Sequence, residues 1–320
     1  MPASRCSSRA TRRRTSAGRS SPPTAAWRRG DEPSARGPGI PARSEAGPKR
    51  PGAKRREREK VTNSPGSLAG RSALVTGGAS GLGAAIARHC AVEGASVVIA
   101  DIDAEGAAQV AKEIVDGDGQ ATAVTTDVTV AADVERAVDA ARALGPLRAL
   151  VLSAAIETRG VLLVDCSDEE WQRVLDVDLK GVFLGLRAAI PAIIDAGGGS
   201  AVVLGSPIGL APAPGYAAYA TAKGALVNLC KLAAIEHAAQ GVRVNVLSPA
   251  AVDTGLFARV SDASDDPEGR RRRVARGMPM RRLGTVESVC AAALFLLSDA
   301  SDFMTGAVLP LDGGLAATRA

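Results

Sequence analysis

The strongest constraint on the fold is an alternation that begins near residue 72 and runs to the end of the chain. Short apolar runs near 72–76, 96–101, 120–125, 148–153, 200–206, 242–247 and 306–311 are separated by helical patterns near 82–93, 103–116, 131–144, 168–195, 217–239 and 286–298. Runs that are apolar throughout suit strands covered on both faces, and helices between them supply the cover. Right-handed crossovers then give an α/β fold, a doubly wound parallel sheet of seven strands with helices on both faces, in a single domain. The stretch 252–284 breaks the rhythm: it is charged, punctuated by Pro and Gly, and offers no clear strand.

Residues 1–60 do not share this pattern. They hold 17 Lys/Arg and 5 Asp/Glu, leaving 22 and 29 for the other 260 residues, so the overall charge of +5 conceals a basic extension on a mildly acidic domain. The high isoelectric point is therefore no argument for nucleic acid. Ile40 is the only Leu, Ile, Val or Phe in the extension, too little apolar surface to offset the entropy of ordering, so 1–60 is predicted to be disordered. Three accounts of it stand: an over-called start with Val61 as the initiator, which is preferred, a disordered tail, or a targeting signal. The domain proper is 61–320.

Five cysteines, Cys6, Cys90, Cys166, Cys230 and Cys290, are widely spaced, and only His89 and His237 accompany them. No metal site is expected from that spacing. Reduced thiols and a cytoplasmic location are expected, with no membrane span.

Two segments carry chemistry. Thr76-Gly77-Gly78-Ala79-Ser80-Gly81-Leu82-Gly83 follows the first apolar run and leads into a helical pattern. Glycines there let the backbone turn tightly and approach a dinucleotide pyrophosphate, whose charge is favoured at a helix N-terminus. Asp101 ends the second run, where a carboxylate accepts hydrogen bonds from ribose hydroxyls and repels a 2′-phosphate. No Lys or Arg stands in the glycine turn or just after Asp101, so NAD is expected in preference to NADP. Farther on, Tyr219 and Lys223 lie at i and i+4 in Y-A-A-Y-A-T-A-K, thirteen residues after Ser206. They share one helix face. A neighbouring ammonium stabilises a phenolate and draws the tyrosine toward general acid/base work. The lysine can also donate to the nicotinamide ribose, and Ser206, at the end of the fifth strand, to a substrate oxygen. Tyr216 lacks such a partner, because Ala220 occupies its i+4 position.

Together, G-x-x-x-G-x-G, Asp101, Ser206 and Y-x-x-x-K resemble the short-chain dehydrogenase/reductase family from about Gly70 to Leu315. The resemblance implies a Rossmann-type fold and NAD-dependent interconversion of a secondary alcohol and a ketone. It implies cofactor contacts from Gly77, Ser80, Gly81, Leu82, Gly83 and Asp101, and from Asp127 and Val128 at the adenine. Further contacts come from Ala154, Tyr219, Lys223, Val252 and Thr254, and substrate contacts from Ser206, Glu157 and Tyr219. The residues 252–284 correspond to a lid, and the helical segments 168–190 and 217–239 to helices that pack between subunits, so a homotetramer, or failing that a homodimer, is expected. Arg270–Arg273 is expected to be a solvated face rather than an anion site.

Two departures stand out. Leu152-Ser153-Ala154-Ala155 replaces the family's N-N-A-G, and Asp178 occupies the place of a catalytic asparagine that holds a water linked to the lysine. Aspartate can still accept from that water, but its charge alters the Lys223 and Tyr219 equilibria. An active enzyme with a shifted pH profile is expected. The alternative is a catalytically impaired NAD-binding regulatory protein.

Overall fold

The computed structural model describes residues 66–254 and 266–318. The predicted extension 1–60 lies outside the described residues, as do 255–265 of the predicted lid. Seven strands form one parallel sheet: β1 Ser72–Thr76, β2 Ser96–Asp101, β3 Gln120–Thr125, β4 Leu147–Leu152, β5 Gly199–Leu204, β6 Val242–Pro249 and β7 Val308–Leu311. Their order is β3-β2-β1-β4-β5-β6-β7. The helices between them are α1 Gly81–Val92, α2 Ala104–Asp116, α3 Ala131–Leu144, α4 Asp168–Leu175, α5 Gly181–Asp195, α6 Ala217–His237, α7 Pro267–Arg276 and α8 Val286–Leu297.

Strand periodicity sorts the core into two layers. Ala73, Val75, Val97, Ile99 and Val151 pack with α1, α2 and α8 on one face. Leu74, Val98, Leu150, Val203 and Val246 pack with α3, α5 and α6 on the other. Successive residues of a strand point to opposite faces, so a run apolar throughout is what a doubly covered sheet requires.

Three local features differ from the sequence reading. The predicted helix 168–195 is interrupted by a π-helical turn at Asp176–Lys180. The stretch 252–284, read as irregular, contains α7, which begins behind an Asp266 cap whose side chain accepts from the Gly269 N–H. β5 stops at Leu204, so Ser206 stands just beyond the strand. β1 pairs with both β2 and β4, and the crevice at the C-terminal ends of these strands is the topological switch point where such sheets bind ligands.

Candidate active site

The glycine turn leaves β1 at Thr76 and enters α1. Gly77 has φ +65°, and a Cβ there would stand 2.6 Å from the Ala154 nitrogen, so only glycine lets this turn lie against the end of β4. Ser153 N–H donates to Thr76 Oγ1 at 3.2 Å and locks the two strand ends together. Ser80, the N-cap of α1, makes no side-chain cap, and the first turn holds no acid. By contrast, Asp103, Ser167 and Thr285 cap α2, α4 and α8 with their own side chains. Uncapped N–H groups at a glycine-lined helix start suit a pyrophosphate. The residues present therefore fit a dinucleotide.

Asp101 sits beside this turn. Its carboxylate accepts from Ala79 N–H at 2.9 Å and from Asp103 N–H at 3.0 Å. Asp127 is engaged locally, accepting from Thr129 N–H at 2.9 Å and Thr129 Oγ1–H at 2.8 Å. Its side chain thus shows the loop-capping role that the motif alone left open. Val128 is buried and packs on Gly181. An open cavity of about 780 Å³ lies at this end, lined by Ile102, Asp127, Thr129, Arg173 and Asp176 among others. Its lining includes none of Ser206, Tyr219 and Lys223.

The second cluster forms around α6. Lys223 is 3% exposed, and its Nζ donates to the Leu204 carbonyl at 3.2 Å. The same ammonium lies 3.1 Å from Asp178 Oδ2 and 5.5 Å from the Tyr219 ring centroid. Asp178, fully buried, is turned inward by the π-helical segment. Single π turns of this kind recur at functional sites. Its Oδ1 accepts from Ile156 N–H at 2.8 Å, whereas Oδ2 meets Lys223 as a charge without an aligned hydrogen bond. Ser206 acts on Tyr219 to lower its pKa; its Oγ accepts from Ile208 N–H at 3.3 Å, in a turn, Pro207–Gly209, that presses on α6: a Cβ at Gly209 would lie 2.5 Å from the Lys223 carbonyl carbon. Tyr216 packs 6.4 Å from Tyr219, centroid to centroid. The structure thus gathers Ser206, Tyr219, Lys223 and Asp178 around one point.

Electrostatics there departs from the sequence expectation for the tyrosine. Burial raises the Tyr219 pKa, the Glu157 carboxylate and then Asp178 add to that rise, and Ser206 and Arg159 oppose it. In the protein alone, burial and the two carboxylates thus prevail over any lysine effect. Burial also raises the Asp178 carboxyl, against the attraction of Lys223 and the Ile156 N–H bond.

Val252 is buried and bridges to Gly284, while Thr254 N–H donates to the Val252 carbonyl at 2.8 Å. Arg271 is tied to Asp253 at 2.5 Å, so the arginine run is not wholly a solvated face. Sequence reasoning missed Arg159, which pairs with Glu157 at 2.6 Å. Its only signal was spacing, since alternate residues of an extended loop project to the same side.

The profile of the enoyl-(acyl carrier protein) reductase family matches residues 77–316. The chain belongs to the short-chain dehydrogenases/reductases. This dehydrogenase is 40% identical over 251 residues to 2,5-dichloro-2,5-cyclohexadiene-1,4-diol dehydrogenase LinX of Sphingobium indicum, covering 77% of this chain and 96% of the relative. It is 40% identical over 255 residues to cis-4-hydroxycyclohexanecarboxylate dehydrogenase of Sinomonas cyclohexanicum, covering 78% and 98%. A crystal structure from Beutenbergia cavernae, assigned as an NAD(P)-dependent gluconate 5-dehydrogenase with bound NADP, matches with TM-score 0.72 and 35% identity over 79% of this chain and all of that one. The dehydrogenase is accordingly an NAD(P)-dependent oxidoreductase acting on CH–OH groups of small molecules.

Proposed function

We propose that the enzyme interconverts a secondary alcohol and a ketone with NAD in preference to NADP, using Tyr219 as general acid/base. The arrangement of Lys223 carries this reading: its ammonium is buried against the Tyr219 ring, the Leu204 carbonyl and Asp178, and Ser206 acts on the same tyrosine to lower its pKa. Ser206 and Tyr219 converge on one substrate oxygen. Tyr219 gives a proton to that oxygen in ketone reduction and takes it in alcohol oxidation. Lys223 holds positive charge beside the tyrosine, which favours the phenolate. Asp178, in place of a neutral amide, fixes the lysine and links it to the loop at Ile156. A bound dinucleotide would be held along its length by Gly77, Ser80, Gly81, Leu82, Gly83, Asp101, Val128, Ala154, Tyr219, Lys223, Val252 and Thr254, and its nicotinamide would supply or accept the hydride. Asp127 is the least supported of the proposed cofactor contacts, because Thr129 already engages one of its carboxylate oxygens.

Asp101 supports the preference for NAD. Its carboxylate is fixed at the edge of the glycine turn by two backbone N–H groups, where a 2′-phosphate would meet negative charge. Initial rates of NAD and NADP reduction by the full chain across a panel of secondary alcohols test the reading. Turnover favouring NAD is expected, and equal catalytic efficiency with NADP would overturn the preference. NAD binding with no turnover would instead favour the catalytically impaired regulatory reading.

The assembly proposed is a homotetramer, with a dimer as the simpler form. Phe183 on α5 and Leu232 and Ile235 on α6 are 42%, 53% and 79% exposed, apolar surface beyond the core-facing stripes. Light scattering at micromolar concentration should give a multimer, and a monomer would contradict the proposal. A cytoplasmic location completes the reading, supported by Cys90, Cys166, Cys230 and Cys290 being free thiols. No helix among the described residues is long and apolar enough to cross a membrane.

A further inference from the structure

The loop between β4 and α4 carries a charge pair that the proton-transfer scheme leaves unused. Glu157 Oε2 accepts from Arg159 Nη2 at 2.6 Å, and among the described residues neither side chain has another hydrogen-bond or ion-pair partner. Their side chains are 33% and 46% exposed, and a half-exposed pair two residues apart adds little to stability.

The framework around the pair is what makes it a site. Ile156 N–H donates to Asp178 Oδ1 at 2.8 Å, just before the pair. Just after it, Gly160 N–H donates to the Gly215 carbonyl at 2.9 Å, and Val161 bridges to Tyr216, the N-cap of α6. Glu157 and Arg159 therefore stand on a strut pinned at one end to the buried acid and at the other to the start of the helix bearing Tyr219. Glu157 raises the Tyr219 pKa and Arg159 lowers it. Polar side chains on a loop whose backbone is anchored beside a reaction centre are placed to orient a ligand.

We propose that Glu157 and Arg159 form a subsite for a second hydroxyl of the substrate, which makes diols and hydroxy-ketones the preferred substrate class; this rests on the alcohol–ketone reading above. The charge pattern selects the ligand. A carboxylate on the substrate would share Arg159 with Glu157 and bring a third negative group to a site already holding Glu157 and Asp178. A cationic substituent would meet Arg159. A neutral hydroxyl satisfies both heads without breaking the pair, donating to Glu157 and accepting from Arg159, whose five N–H donors exceed what Glu157 uses.

The test uses the full-chain enzyme with NAD. Cyclohexanol, the cis and trans 1,2-, 1,3- and 1,4-cyclohexanediols and cis-4-hydroxycyclohexanecarboxylate are compared by kcat/KM. At least one diol is expected to exceed cyclohexanol roughly 10-fold or more, mainly through KM, as for sites built to hydrogen bond a substrate hydroxyl. That ratio should fall toward one in Glu157→Gln and Arg159→Gln, while Arg159→Lys keeps part of it. A structural role for the pair would change stability and leave the ratio alone. The proposal is overturned by a diol-to-cyclohexanol ratio near one in the parent, by a ratio unchanged in both Gln variants, or by the hydroxycarboxylate surpassing every diol. If the variants do not fold, the parent panel decides alone on the same ratio. No turnover with any compound would refute the alcohol–ketone reading and this inference together, whereas turnover without diol preference would refute only the inference.

Discussion

Replacing Asp178 by Asn tests whether the buried carboxylate stabilises the fold or burdens it. At 3.1 Å from Lys223 Nζ, an effective dielectric near 20 gives roughly 5 kcal/mol of attraction. Desolvating two ions costs several kcal/mol each, so the pair comes out close to neutral. Burial prevails for the acid itself, holding its carboxyl above the ordinary value of 3.8. A raised folded pKa means that the protonated acid contributes stability, fully present below about pH 4 and lost as pH rises through the folded value. Asparagine has no such loss, and the two lone pairs of its single amide oxygen can serve both the Ile156 N–H and Lys223, which also keeps the Leu204 carbonyl. Asp178→Asn is therefore expected to unfold within about 1–2 kcal/mol of the parent, some 2–8 °C in Tm, with its relative stability improving from pH 4.5 to pH 7.5. Activity should be kept or raised. Because the Asp178 charge raises the Tyr219 pKa, its removal should move the tyrosine limb of the pH–rate profile to lower pH for oxidation and reduction alike. Asp178→Leu also strands a buried N–H and leaves the lysine unpaired, so it should lose about 4–8 kcal/mol and most turnover. Thermal unfolding at the two pH values and kcat/KM profiles decide. A loss above about 3 kcal/mol for the Asn variant at pH 7.5, or a limb moving to higher pH, would refute the reasoning.

Tyr219→Phe should lower turnover at least about 10²-fold while NADH fluorescence still reports binding, since the pocket remains and the transferable proton is gone. Retained activity would mean that another group moves the proton. Asp101→Ala should narrow the gap between NAD and NADP in kcat/KM. It should also cost about 1 kcal/mol, because the part-buried Ala79 N–H loses its acceptor while the exposed Asp103 N–H turns to water, and an unchanged cofactor ratio would remove Asp101 from the selection. Gly77→Ala should destabilise by more than about 1 kcal/mol and weaken cofactor binding, since the new methyl meets the Ala154 nitrogen at 2.6 Å with φ at +65°; a parent-like Tm and affinity would show that the turn can move aside.

Sequence alone determined the architecture, because the features that specify it are local and repeated. Inner strands such as β1 and β2 are buried and mostly apolar, whereas the edge strand β3 is partly exposed and carries Gln120, Thr122 and Thr125; all seven still appear as short runs whose bounds fall within two residues of the structure. The Tyr219–Lys223 spacing places both side chains on one helix face wherever that helix docks. Tertiary structure decided the rest. The π-helical turn that aims Asp178 at Lys223 leaves no mark in a helical pattern, since i→i+5 bonding uses the same residue types. Short α7 has a charged composition that reads as a loop, and its Asp266 cap was visible only with the helix in place. The Tyr219 pKa depends on burial and on Glu157, and neither can be read from Y-x-x-x-K. The Glu157–Arg159 pair became a site only when the fold pinned its loop between Asp178 and α6. Periodicity is written along the chain, whereas desolvation and charge proximity exist only between segments that folding brings together.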